Sequence, residues 1–177
     1  ITHLEDNQVS ANKSSGIIFK AETTVDTLVN NVIQNNREYG IAVDSSQITK
    51  LKDNQIIANK NRGLVIQATT VEIIVNNTIK NNEGDGIFTA SATSIQQLSQ
   101  NQVLENLGNG FEIQESTVGM FANNAIRDNK TAGIVTIGTK ITQLSENQVI
   151  GNKVRGLNLD ATTVGTFFNN TIKDNGT

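Results

Sequence analysis

Four residues come closest to forming a chemical constellation: Glu105, Asp128, Arg127 and Lys130. Two carboxylates held at a fixed separation can share acid and base work across a glycosidic bond. Several carboxylate oxygens converging on one point can hold Ca²⁺. Glu105 and Asp128 stand 23 residues apart, and Asp174 continues the same series, with Arg127 and Lys130 beside them as anion-binding partners. A solvated, mixed-charge edge explains the same four residues without chemistry, and that is the reading adopted. No catalytic set is assigned. Ca²⁺ is the one cofactor with any basis in the pattern, and a weak one. His3, the only histidine, has no Asp or Ser partner in register and reads as a surface residue. A basic row, Lys13, Arg37, Lys60, Lys130 and Lys153, is broken by Glu83 and Leu107. It would suit an acidic polysaccharide, or would simply keep a turn soluble.

What must position these side chains is a repeat. Asn recurs at Asn7, Asn31, Asn54, Asn77, Asn101, Asn124, Asn147 and Asn170, in steps of 23 or 24 residues. A second Asn follows five residues later, at Asn12, Asn36, Asn59, Asn82, Asn106, Asn129, Asn152 and Asn175. Gly comes four after that, from Gly16 and Gly40 to Gly133 and Gly156. Apolar residues hold the same register: in one repeat, Ile48, Leu51, Ile56 and Leu64. Their local spacing is two and they are rich in β-branched types, which is strand patterning. A fixed period of this length marks a solenoid. No repeat can bury its own apolar residues, so the repeats must stack, about 4.8 Å apart, into a rod about 35–40 Å long.

The expected architecture is all-β: a parallel β-helix of about eight coils of 23–24 residues, with residues 1–177 as a single segment. Buried amides are costly unless paired. Asn12, Asn36, Asn59, Asn82, Asn106, Asn129 and Asn152 are therefore expected to form an inward ladder. A row of hydroxyls, Thr23, Ser46, Thr69, Thr93, Ser116, Thr139 and Thr162, is expected at an inner corner. Phe19, Phe111, Phe121 and Phe167 fall on inward positions. Tyr39, Phe88 and Phe168 fall on outward ones, on different faces, so no aromatic platform is expected. Val29, Val75, Ala122 and Phe168 share one outward row, with Ile73 and Met120 nearby, as a candidate partner-contact patch. Odd and even coils also differ, as in Asp53-Asn54-Gln55-Ile56 against Asn76-Asn77-Thr78-Ile79, which points to an ancestral unit of two coils.

The pattern N-x-[VI]-x-x-N-x-x-x-G-[IL]-x-[IV] resembles the right-handed parallel β-helix repeat of pectate lyases, polygalacturonases, alginate epimerases, periplasmic copper-maturation proteins and some F-box proteins. The resemblance covers the whole chain. It implies the fold and its right hand, and is nearly silent on activity. The Ca²⁺-binding Asp set and Arg base of the lyases, and the Asp, His-Gly and Arg-Ile-Lys elements of the polygalacturonases, are not matched here.

Composition excludes other classes. With no Cys there is neither a disulfide framework nor a thiolate metal site. A net charge of −3 argues against nucleic acid as a partner. No apolar run is long enough to span a membrane as a helix. The chain opens and closes within the pattern and neither end reads as a cap, so a segment of a longer protein is expected, with end-to-end association open to it. The leading reading is a non-catalytic scaffold or binding segment of a secreted or cell-surface protein, with polysaccharide or protein as partner. The alternatives are part of a polysaccharide lyase or epimerase, and an intracellular protein-interaction β-helix.

Overall fold

The computed structural model describes residues 1–176, and every regular element in it is a β-strand; Thr177 lies outside the described residues. Each coil contributes one strand to each of three parallel sheets. Sheet 1 runs from His3–Glu5 through Thr24–Val29 to Thr163–Phe168, and sheet 2 from Gln8–Ser10 through Val32–Gln34 to Thr171–Lys173, with eight strands each. Sheet 3 has seven, from Ile17–Phe19 to Arg155–Asp160. Every residue pairs with its equivalent one repeat away, for example Ile48 with Val71 and Ile56 with Ile79.

Single left-handed residues make the bends. One series lies between sheets 1 and 2, at Asp6, Asn30, Asp53, Asn76, Gln100, Asn123, Glu146 and Asn169, with φ from 54 to 58°. A second follows sheet 2, at Ala11, Asn35, Ala58, Asn81, Glu105, Asp128, Gly151 and Asp174. A third follows sheet 3, with Ser45, Ala68, Glu115 and Ala161 among its members. The extra residues of the first and fourth coils fall in this third bend, where Ala21–Glu22 and Ser91–Ala92 are both left-handed. Such a conformation costs an ordinary residue about 1–2 kcal/mol. Each bend also resets the in–out alternation, so the residue after it faces inward.

That next residue is always polar and recovers the cost by bonding. After the second bend, Asn59 donates from its backbone N and from Nδ2 to Asn82 Oδ1, both at 3.0 Å, and from Nδ2 to the Ile33 carbonyl at 3.2 Å. The same contacts recur coil after coil, and Asn36 to Asn152 are 0–1% exposed. After the first bend a second inward ladder runs, which the sequence reading used only as a register mark. Asn54 donates to Asn77 Oδ1 from N at 2.9 Å and from Nδ2 at 3.0 Å, and to the Leu28 carbonyl at 2.8 Å. After the third bend the residue is Ser or Thr, whose hydroxyl caps backbone carbonyls: Thr139 Oγ1 donates to Ile113 O and Ile137 O at 3.0 and 3.1 Å.

Between these polar columns the core is a stack of aliphatic rows, such as Ile48, Leu51, Ile56, Leu64 and Ile66, all fully buried. Phe111 and Phe121 meet edge to face at 4.8 Å. The repeated glycine is kept for space, since it has an ordinary φ. A Cβ on Gly63 would lie 2.6 Å from Ile79 Cγ2 and 2.8 Å from both Asn82 Nδ2 and the Gly86 carbonyl.

Three expectations need correction. Phe167 keeps its inward register against Leu144 but is 50% exposed, on the last coil. Ala122 is on the outward row yet is buried. The candidate contact row keeps its even-coil members Val29, Val75, Ala122 and Phe168, but Lys52, Ser99 and Ser145 of the odd coils lie between them, so the four do not form a continuous apolar surface.

Candidate functional site

The outer face of sheet 3 departs from the repeat. Its outward row is apolar through the first four coils, Ile18, Ala42, Val65 and Phe88, directly cross-paired, and mixed beyond them, with Glu112, Val135 and Asn158; the next row reads Asp44, Gln67 and Ala90 over the second to fourth coils. Val65, Phe88 and Ala90 form a buried cluster outside the barrel, and Tyr39 packs against it. This corrects the expectation that Tyr39 and Phe88 lie on separate faces. Phe88 points outward but is only 7% exposed.

Arg62 is what covers it. The guanidinium carbon lies 3.8 Å from the Phe88 ring centroid. Its Nε donates to Asp85 Oδ2 at 2.8 Å, and Asp85 is itself buried. Asp85 Oδ1 accepts the backbone N–H of Asn109 at 2.8 Å. Asn109 is fixed in turn, donating from Nδ2 to Glu112 Oε2 and accepting from Thr131 Oγ1 and the Ala132 N–H. The arginine is thus held flat by a ring face on one side and by a braced carboxylate at its edge. Two glycines outside the common pattern make room. A Cβ on Gly108 would sit 2.5 Å from Asp85 Oδ1, and one on Gly84 would sit 2.9 Å from Arg62 Cγ.

Among the described residues, the Arg62 Nη groups have no protein hydrogen-bond partner, so their donors remain available. Arg62 borders a 220 Å³ cavity whose lining includes Tyr39, Val65, Lys20, Asp44 and Gln67. Around the adjoining bend lies an open cleft of 510 Å³ with a floor of small and polar residues (Ser45, Ser46, Gln47, Ala68 and Thr70) and Glu22 at its edge. The surface therefore combines an aromatic–aliphatic floor with both donors and acceptors at the rim, as pockets for polar organic ligands commonly do.

The residues singled out from sequence lie elsewhere, at the edge of sheet 2. Glu105 and Asp128 occupy successive left-handed bends. Glu105 turns to Lys80 at 3.3 Å, while the Asp128 carboxylate lies over Gly151, whose Cβ would meet it at 2.6 Å. Arg127 bonds Gln148 Oε1 through Nη2, and its buried Nε has no partner. Lys130 is exposed. No side-chain hydrogen bond or ion pair joins these four among the described residues. The sequence signal for the sheet 3 site was the extra Gly84 and Gly108, together with Phe88 at the end of the apolar outward run Ile18, Ala42 and Val65.

The fold defines a class, the parallel β-helix, and the family comparison places the chain within it. This chain belongs to the right-handed β-helix family. The model described as "Right handed beta helix region" matches residues 70–177, and the one described as "Periplasmic copper-binding protein (NosD)" matches residues 2–107. Among solved structures, the crystal structure of the periplasmic alginate epimerase AlgG superposes with a TM-score of 0.58 at 15% identity, over 92% of this chain and 43% of that one. A single-substitution form of the same enzyme gives 0.61 at 14% identity, over 93% and 50%. A doubly substituted form gives 0.58 at 13%, over 97% and 48%. At such identity the likeness is one of fold, and the chain spans about half the length of these structures. A comparison with curated proteins finds no match.

Copper does not fit the donors present. Copper sites draw on imidazole, thiolate and thioether ligands, and this chain has one His, one Met and no Cys. His3 Nδ1 sits 2.8 Å from Thr27 Oγ1 and 3.4 Å from Glu5. Met120 is on a different coil. No three His, Asp or Glu side chains converge among the described residues. No helix is long and apolar enough to cross a membrane.

Proposed function

We propose that this chain is a non-catalytic carbohydrate-binding β-helix segment of a secreted or cell-surface protein, and that the sheet 3 face of its first four coils is the binding surface. One observation carries the reading. Arg62 is held flat over Phe88 and against Asp85, with its outer donors free, beside Tyr39 and a cavity of 220 Å³. A rigid guanidinium loses less entropy on bonding a ligand than a mobile one does. Sugars present both apolar faces and hydroxyl edges, and this surface offers a partner for each. The AlgG structures are titled as a periplasmic epimerase acting on alginate, and the NosD family is described as periplasmic. Those descriptions support a place outside the cytoplasm and a polysaccharide context.

The test is a binding screen of the folded chain against soluble polysaccharides by calorimetry, with the ultraviolet absorbance of unsaturated products followed in parallel. Binding without turnover, lost on Arg62→Ala, is the expected result. Turnover would replace the reading with that of a lyase, and make Glu105, Asp128 and Arg127 the next residues to mutate. Absence of binding to every polysaccharide would overturn it in favour of a protein-binding scaffold.

A further inference from the structure

The charge around the sheet 3 cavity is balanced. Lys20 and Arg62 are cationic, and Asp44 and Asp85 are anionic. Asp85 is consumed by Arg62, which leaves that guanidinium as a plate of hydrogen-bond donors with little net field. Asp44 is different. It is exposed on the row next to Ala42 and Val65, cross-paired with Gln67, and its Oδ1 accepts only from the neighbouring Ser45 Oγ at 2.9 Å. Its remaining lone pairs are free to accept. The cavity rim therefore offers a free carboxylate acceptor, the donors of Arg62 and Lys20, and two groups that can do both, the Tyr39 hydroxyl and the Gln67 amide. Glu22, close to Lys20 in sequence, is a second carboxylate, but it lines the open cleft and not this cavity.

An acidic sugar could set its carboxylate against Lys20 or Arg62, but the same cavity would hold it close to Asp44, on a chain whose net charge is already −3. Like charges so placed oppose both encounter and binding. A pair of neighbouring neutral hydroxyls matches the site instead: one donates to Asp44 while both accept from Arg62 or Lys20, and the apolar sugar face lies on Tyr39 and Val65. We infer that the sheet 3 site takes a neutral hexose unit through its vicinal hydroxyls, with Asp44 as the acceptor that sets this specificity. The inference rests on the carbohydrate-binding reading and narrows it.

The deciding experiment titrates the 177-residue chain and its Asp44→Asn and Arg62→Gln variants with hexasaccharides of 1,4-linked glucose, mannose and galactose. Hexasaccharides of 1,4-linked mannuronate and galacturonate are run alongside, at low and at physiological salt. The expected result is that a neutral hexasaccharide binds more tightly than either uronate, with affinity unchanged by salt. Both substitutions should weaken it, Asp44→Asn by about tenfold, the worth of a hydrogen bond to a charged acceptor. Asp44→Asn keeps the shape of an exposed side chain, so folding is not at stake. The sign of its effect decides. If a uronate binds more tightly, weakens with salt and gains affinity in Asp44→Asn, the neutral-sugar assignment is overturned while the carbohydrate reading stands. If no hexasaccharide binds, both are overturned.

Discussion

The inside of the rod and the outer face of sheet 3 obey opposite rules. Inside, one coil predicts the next: Asn54 and Asn77, Asn59 and Asn82, Ile56 and Ile79 occupy equivalent sites with equivalent bonds. Outside sheet 3, the equivalent residues are Ile18, Ala42, Val65, Phe88, Glu112, Val135 and Asn158, and no residue type is kept from one coil to the next. A stacked coil must satisfy the coil above and the coil below with the same groups, so the ladders repeat strictly and the apolar rows vary only as far as neighbours can pack, as where Phe111 stands between Ile87 and Ile134. The exterior answers to solvent and ligand, and is free to vary. In a solenoid, the departures from the repeat are where a particular function can be written.

The harshest way to break the comparison is to put a charge where the repeat is strictest. Ile56→Asp would place a carboxylate among fully buried aliphatic rows and is expected to abolish folding. Gln55→Asp, one residue away on the exposed side, should leave a cooperative melt close to that of the parent. Circular dichroism melts of the pair measure it, and the reverse ranking would displace the whole interior by one residue. Gly63→Ala comes next. Its Cβ would press on backbone and ladder at 2.6–2.8 Å, and the expected loss is about 1–3 kcal/mol in urea unfolding.

The two ladders make an internal test. Asn54→Ala and Asn59→Ala each remove a buried amide and orphan partners on both sides, so each should cost about 1–3 kcal/mol. Equal losses would show that both ladders hold the rod. A neutral Asn54→Ala would demote the first ladder to a bystander. On the outer face, Arg62→Gln should cost about 1–2 kcal/mol, because Arg62 is partly exposed but the Asp85 carboxylate it leaves is buried and keeps only the Asn109 N–H as a partner. A large loss there would mean that the patch is structural, and would remove it as a binding site.

Most of the fold was legible because the interior repeats. Asn, Gly and aliphatic positions recur at every coil, and only stacking satisfies them all. The Asn7 column could also have been read as inward, since Asn7 and Val9 share the parity of one strand. The Gly16 series marks the repeat in the sequence, though its cause is crowding from the neighbouring coil, which no local pattern encodes. The sheet 3 site was harder to see. Tyr39 and Phe88 belong to different coils and to positions on either side of the Gly40-type bend, where alternation is broken. Their contact through Val65 follows from how Gly and the next residue both turn inward, and spacing alone does not carry that. Arg62 and Asp85 carry no mark in the sequence, because their bond depends on room left by Gly84 and Gly108.

The smallest expected effect concerns the one part of the exterior that does repeat, with a period of two coils. At the first bend Asn76 Nδ2 donates to Asp53 Oδ1 at 2.6 Å, and Asn30 does the same to Asp6. If carboxylates occupied this column on every coil, they would stack about 4.8 Å apart and repel. Alternating Asp with Asn turns that repulsion into an acceptor–donor pair, so the two-coil period has a physical use beyond its ancestry. Asn76→Asp keeps a residue that tolerates the left-handed bend but exchanges the donor for a second charge. It should cost about 0.5–1 kcal/mol at low salt and less at high salt. Adding Asp53→Asn to it restores a donor and an acceptor in reversed order and should return most of the loss. If the double variant is no more stable than the single one, then the alternation is only inherited, and the exterior of this rod has no rule of its own at the first bend.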